Sequence, residues 1–226
     1  MLEFNGNVSD CISINEVKKI PDVKGYSDKE ANDTKAFWDD IFKVKEIEED
    51  VSIDDENIFA EIFGRSEDEF EFDFDIEAND VKATLADFSQ DIWDTLSENE
   101  RLDRILSLIK VIAEKLGIDN VPELFLFDAV ADNCGAFNPR DNVLKINRSL
   151  FEDPKELVNT IAHEMRHAFQ SMRAEIGETT MDLLYALNFE NYISPVPVGD
   201  GKVLFYIDYE DQLVETEARA FANLFS

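Results

Sequence analysis

The only two histidines in this chain stand four residues apart in the run Asn159-Thr160-Ile161-Ala162-His163-Glu164-Met165-Arg166-His167-Ala168-Phe169-Gln170. The pattern is H-E-x-x-H, and it constrains the fold because it does its chemistry only on a helix. Helical spacing sets residues i and i+4 one turn apart on one face, so both imidazoles can reach one cation. Glu164, rotated by a single residue, can then reach a water beside that cation. The surrounding segment carries the local signals of a helix. Asp153 is an N-cap acid, Pro154 takes the first helical position, Glu156 is placed to complete a capping box, and Gly177 is a stop. Leu157, Ile161, Met165, Ala168 and Met172 recur at spacings of three and four, which predicts an apolar stripe packed on a sheet, with the histidines on an adjoining strip. Met165 and Met172 read as core.

Two histidines leave a catalytic zinc site one protein ligand short, since such sites take three and keep the fourth position open. No third histidine exists. Gln170 stands where the extended H-E-x-x-H-x-x-G-x-x-H pattern requires Gly, so the remaining ligand has to be a carboxylate or a thiolate, with a carboxylate favoured. The leading candidate is Glu215, in a helix expected over Tyr209 to Ala222. It shares a face with Ala218 and Ala222, whose small side chains permit close approach to the histidine helix. Glu217 points elsewhere, towards Val214 and Phe221. Glu175 and Glu178 are rivals, the latter spelling E-x-x-x-D with Asp182, but they follow so soon after the histidines that little chain remains in which to turn back.

Upstream, Ser97-Glu98-Asn99-Glu100 is a capping box. Leu102, Ile105, Leu106, Ile109, Ile112 and Leu116 follow at helical spacing, with Gly117 as the stop. Pro122 opens the short apolar run Glu123 to Phe127, and Gly135 to Ile146 reads as two extended pieces joined by the turn-like Asn138-Pro139-Arg140-Asp141-Asn142. The expected product is an α+β domain with a small sheet packed on the histidine helix.

The order helix, strand, strand, H-E-x-x-H helix, E-x-x-A helix resembles the small gluzincins, including the ImmA/IrrE type and related metallopeptidases of microbes and phages. Asn142 to Asn147, the His163 helix with its trailing Ala168-Phe169-Gln170, and Tyr209 to Ala222 carry the resemblance, which covers roughly residues 97 to 226. Arg219 departs from the ImmA/IrrE type, which usually has Asn there. The resemblance implies a zincin-like catalytic domain in which His163, His167 and Glu215 hold a zinc ion and Glu164 is the catalytic base. It further implies hydrolysis of peptide bonds in a peptide or protein substrate through a zinc-activated water. By analogy with zincins, the strand Val143 to Ile146 is expected at the sheet edge beside the metal, where an extended substrate can add as a further strand. Such a reaction also needs a donor to the oxyanion, for which Tyr209 or Tyr206 is the expectation.

The first part of the chain differs in composition. Residues 1 to 98 carry about 29 acidic against about 9 basic side chains, about −20 of the total of −30. It is not a solvated tail throughout, because Phe37, Trp38, Ile41 and Phe42 cluster at helical spacing. Phe70, Phe72, Phe74 and Ile76 alternate with Glu71, Asp73 and Asp75, which predicts a strand with one aromatic and one acidic face. Val81, Leu85, Phe88, Ile92 and Leu96 predict a further amphipathic helix. The organisation expected is an acidic N-terminal accessory region over 1–96 and a metallopeptidase domain over 97–226.

A charge of −30 argues against nucleic-acid binding, which needs basic patches to release counterions from phosphates, and favours cationic segments and metal ions. No apolar stretch reaches the roughly eighteen residues of a membrane span. Cys11 and Cys134 are too few for a disulfide framework, so reduced thiols and a cytoplasmic location are expected. Two alternatives from other functional classes stand beside the enzyme. One is a latent or inactive metal-stabilised binding module whose cleft the acidic region fills, and the other is an acidic interaction protein. Oligomeric state has no signature in the sequence.

Overall fold

The computed structural model describes residues 65–128, 134–193 and 209–226, all within one compact unit. Cys11, Tyr206 and the Phe37-Trp38-Ile41-Phe42 cluster lie outside the described residues. Six helices, α1 (Asn79–Ala86), α2 (Gln90–Trp93), α3 (Glu98–Leu116), α4 (Pro154–Ile176), α5 (Thr180–Glu190) and α6 (Leu213–Ala222), accompany three strands, β1 (Glu123–Phe127), β2 (Gly135–Asn138) and β3 (Val143–Asn147), among the described residues. The fold is α+β with a small mixed sheet.

Helix α3 begins where its capping box sits. The Ser97 hydroxyl accepts from the Glu100 N–H at 3.4 Å, the Glu100 carboxylate accepts from the Ser97 N–H at 2.8 Å, and Gly117 ends the helix in the left-handed region at φ 69°. Its buried stripe is Ile105, Leu108, Ile109, Ile112 and Ala113. Leu106, expected in that stripe, is 48% exposed. Leu108 takes its place, since positions 105, 108, 109 and 112 centre the buried face while position 106 lies about 100° round the helix from Ile105, at the edge of that face.

In the sheet, β3 is central. It pairs in parallel with β1, Leu124 opposite Leu144, and antiparallel with β2, Phe137 opposite Leu144. The expectation that β3 forms the edge beside the metal is therefore corrected, and β2 is the edge on that side. The turn from β2 to β3 is short enough to lay the two strands side by side, with Asn142 in the left-handed region at φ 50°, while β1 reaches its parallel partner through a crossover.

The alternating segment 70–76 is a second correction. Phe74 is buried, Phe70, Phe72 and Ile76 are half-buried and the acids between them face solvent, yet the segment joins no ladder. Period two requires an extended backbone, not a strand partner. Here the aromatic side packs on a helix: the Phe72 and Phe74 rings meet Phe221 of α6 at 5.4 and 5.1 Å. The amphipathic run expected over Val81 to Leu96 divides into α1 and α2, with Trp93 rather than Ile92 facing inward. Trp93 stacks on Phe88 at 5.1 Å, and its indole N–H donates to the Phe151 carbonyl at 2.7 Å. Phe74, Val81, Phe88 and Trp93 belong to the same buried cluster as the inward faces of α3, α4 and β3.

Helix α4 runs through the centre of this unit. Asp153 caps it by accepting from the Glu156 N–H at 3.1 Å, and Gly177 closes it at φ 59°. Leu157, Ile161 and Met165 are fully buried, while Met172 is partly buried against the core. Helix α5, unanticipated from the sequence, is capped reciprocally by Thr179 and Asp182. Helix α6 packs along α4 and starts at Leu213, later than the expected Tyr209, because Gln212 adopts an extended N-cap conformation. Among the described residues no helix is long and apolar enough to cross a membrane.

Candidate metal centre

Two turns of α4 and the first turn of α6 converge on one point. His163 and His167 project from α4 with their Nε2 atoms 3.0 Å apart. Glu215 of α6 faces both, Oε2 at 3.5 Å from His163 Nε2 and Oε1 at 3.6 Å from His167 Nε2. Four-coordinate zinc with bonds of roughly 2.0–2.1 Å requires ligand-to-ligand separations of about 3.4 Å; the two Glu215 contacts, made by different oxygens, lie near that value at 3.5 and 3.6 Å, and the imidazole pair lies closer at 3.0 Å. Among the described residues, these are the only three side chains of ligand type whose donor atoms gather within 4.8 Å of one another.

The tautomer of His167 also fits. Gln170, one turn further along α4, donates from its amide nitrogen to the Val214 carbonyl at 3.0 Å and to Glu217 Oε2 at 2.7 Å. Both partners are acceptors, so the amide oxygen is the atom that faces His167 Nδ1 at 2.8 Å. That nitrogen must then carry a proton and donate, which leaves the Nε2 lone pair for a cation. Two imidazole nitrogens cannot face each other at 3.0 Å through lone pairs alone; a proton or a metal ion has to lie between the donors.

The electrostatics agree. Burial disfavours charge on His167, but the Glu215 carboxylate outweighs it and lifts the imidazole to about 9. Burial likewise opposes charge on Glu215, and the facing His167 and His163 nonetheless hold it well below the ordinary carboxylate range. Both shifts express one preference, for positive charge at the centre of the triangle. Exposure is concentrated on His163, whose side chain is 16% accessible against 4% for His167 and 2% for Glu215.

Glu164 is buried next to the histidines, and its Oε2 accepts from the Phe137 N–H of β2 at 2.8 Å. Burial raises its pKa; His163 and His167 offset part of that rise, Glu215 adds to it, and the Phe137 N–H opposes it. A carboxylate raised in this way is a stronger base than one in water. Its close seat against β2 depends on Gly135, where a Cβ would lie 2.6 Å from Thr160 Cγ2 and 3.1 Å from the Lys145 carbonyl.

The rival carboxylates have other employment. Glu217 accepts from the Arg166 guanidinium, from the Tyr185 hydroxyl at 2.7 Å and from Gln170. The Arg166 group in turn lies over the Phe72, Phe169 and Phe221 rings. Glu175 and Glu178 are exposed. Asp182 is the buried acid of that stretch, paired with Arg173 at 2.8 and 2.7 Å and bound to the Glu178 and Thr179 N–H groups. Tyr209 is buried with its ring edge-on to Tyr192 at 6.0 Å, and its hydroxyl pKa is pushed well up by burial and then by Glu215.

Sequence reasoning missed the supporting groups. Gln170 had a detectable signal, because it stands three residues after His167 and so shares its face. Tyr192, whose hydroxyl donates to Glu215 Oε1 at 2.6 Å, had none, since only the return of the chain after α5 brings it there. Compared with known proteins, the chain matches no protein family, no curated protein and no solved structure.

Proposed function

We propose that this chain is a zinc-dependent metallopeptidase of the gluzincin type with a zincin-like catalytic domain. One observation carries the reading: three metal-ligand side chains from two helices converge within 4.8 Å, and a buried carboxylate stands beside them, tied to the edge of the sheet. His163, His167 and Glu215 would hold the ion, which when bound supplies Lewis acidity that makes water a nucleophile near neutral pH and polarises a carbonyl. The remaining work falls to the chain. Glu164 takes a proton from the attacking water as the C–O bond forms and the carbonyl becomes an oxyanion, then delivers that proton to the amine as the carbonyl reforms and the peptide C–N bond breaks. Tyr209 is the phenol assigned to the oxyanion.

The substrate would enter along β2. In the antiparallel ladder, alternate residues turn their N–H and C=O groups towards β3, as Cys134 does in accepting from the Asn147 N–H at 2.9 Å. Gly135 and Phe137 therefore turn theirs outward, which is why Glu164 can bind the Phe137 N–H. An extended peptide would dock on this edge. The net charge of −30 favours cationic segments as substrates. With two cysteines in the chain, a reducing compartment such as the cytoplasm is the proposed setting.

Elemental mass spectrometry should return about one zinc per chain, lost on chelation and restored on zinc return. Glu164→Gln should keep that stoichiometry while cleavage of a labelled protein substrate such as casein falls by roughly 10²- to 10⁴-fold. Zinc content near zero after return, or cleavage retained by the variant, would overturn the proposal.

A further inference from the structure

Tyr192 is placed with more care than a packing residue needs. It follows α5 directly, and the backbone beside it is clamped by the side chain of Gln212, the buried N-cap of α6. Gln212 Nε2 donates to the Ile193 carbonyl at 2.9 Å, and its Oε1 accepts from the Ile193 N–H at 2.8 Å. Asn188, buried on α5, donates to the same Oε1 at 3.2 Å and accepts from the Val214 N–H at 3.0 Å. Two buried amides thus tie the end of α5 to the start of α6, and the Tyr192 hydroxyl and the Glu215 carboxylate lie on either side of the tie.

The consequence falls on Glu215. Its two oxygens address the imidazoles almost symmetrically, at 3.5 and 3.6 Å, so the triangle alone does not choose between ligation by one oxygen and by two. The Tyr192 hydroxyl breaks that symmetry by donating to Oε1 at 2.6 Å, which draws electron density from Oε1 and leaves Oε2 the better donor. We propose that Tyr192 is a positioning residue that confines Glu215 to ligation through Oε2, keeping the remaining coordination position open for water and substrate. This rests on the metallopeptidase reading of the site. It assigns the hydroxyl a role in coordination geometry, distinct from a role in stability.

The test compares the full chain with Tyr192→Phe, each loaded with Co(II) in place of zinc and read by visible absorption, with zinc affinity measured against a chromophoric chelator. In the variant the d–d bands should weaken as the freed Oε1 joins the metal and the coordination number rises, and zinc affinity should fall by roughly 10- to 100-fold, with helicity by circular dichroism unchanged. Unchanged bands would overturn the proposal whether or not affinity falls, and so would a variant that loses its fold without metal, because either result makes the hydroxyl a stability element. Wild-type chain that takes up neither Co(II) nor zinc would instead overturn the reading of the site itself, and this inference with it.

Discussion

Gln170 shows how one side chain can set the protonation of another without touching the proposed ion. Its amide nitrogen is engaged by the Val214 carbonyl and Glu217, so its oxygen is left for His167 Nδ1. Replacing it with Ala removes the acceptor that fixes the tautomer, and Nδ1 then competes with Nε2 for the proton. Zinc affinity of Gln170→Ala should drop by roughly 10- to 100-fold, read by chelator competition; affinity within twofold of wild type would show that the ring is held by packing alone. A similar economy separates Glu215 from Glu217. Glu217 is neutralised by Arg166 and satisfied by Tyr185 and Gln170, which leaves it no oxygen to offer a metal. At this scale the histidine pair and Glu164 were legible in the sequence, because their relation is set by the pitch of one helix. The choice among Glu175, Glu178, Glu215 and Glu217 was open to argument and not to proof, because it depends on how two helices are rotated against each other.

Among the elements, β2 and α4 form the pair on which the site depends. Gly135 lets α4 approach until Glu164 meets the Phe137 N–H, and the atoms a Cβ would strike include the Lys145 carbonyl of β3, which is backbone and cannot swing aside. Gly135→Ala should destabilise the fold by about 1–3 kcal/mol, measured as a lower urea midpoint with unchanged m-value. It should also lower the proposed peptidase turnover beyond what the unfolded fraction explains, because Glu164, the proposed base, moves with the helix. A variant as stable and active as wild type would show that the contact relaxes freely. Element boundaries set by caps were readable from local chemistry, Ser97 with Gly117 and Asp153 with Gly177 among them. The order of the strands was not. A run such as Val143 to Ile146 has the same alternation whether it is central or at the edge, and only its hydrogen-bonding partners decide which. The same limit explains segment 70–76, whose period-two pattern is matched by its burial while its backbone pairs with nothing.

For the whole molecule, the described part of the acidic region is inseparable from the rest of its core. Phe74 and Phe225 pack 5.3 Å apart, Glu67 accepts from Arg219 at 2.9 Å and from Asn223 at 2.8 Å, and Trp93 is fully buried. A fragment spanning 97–226 would lose Phe72, Phe74 and Trp93 and so expose the faces of Phe221 and Phe151 that they cover. It should show no cooperative thermal unfolding by circular dichroism, whereas a fragment spanning 65–226 should unfold cooperatively and bind zinc; a cooperative 97–226 fragment would contradict this. Any truncation meant to ask whether the acidic region masks the site therefore has to begin upstream of Arg65. What the sequence determined by itself was local: helices with their caps, two imidazoles and a carboxylate on one turn, and a net charge of −30. These follow from backbone geometry and composition within a few residues. What only the tertiary structure decided was which distant groups complete the turn: Glu215 and not Glu217, β2 and not β3, Gln170 behind His167 and Tyr192 behind Glu215. Each of those choices depends on the rotation and approach of separately encoded elements, which packing fixes and no single segment contains.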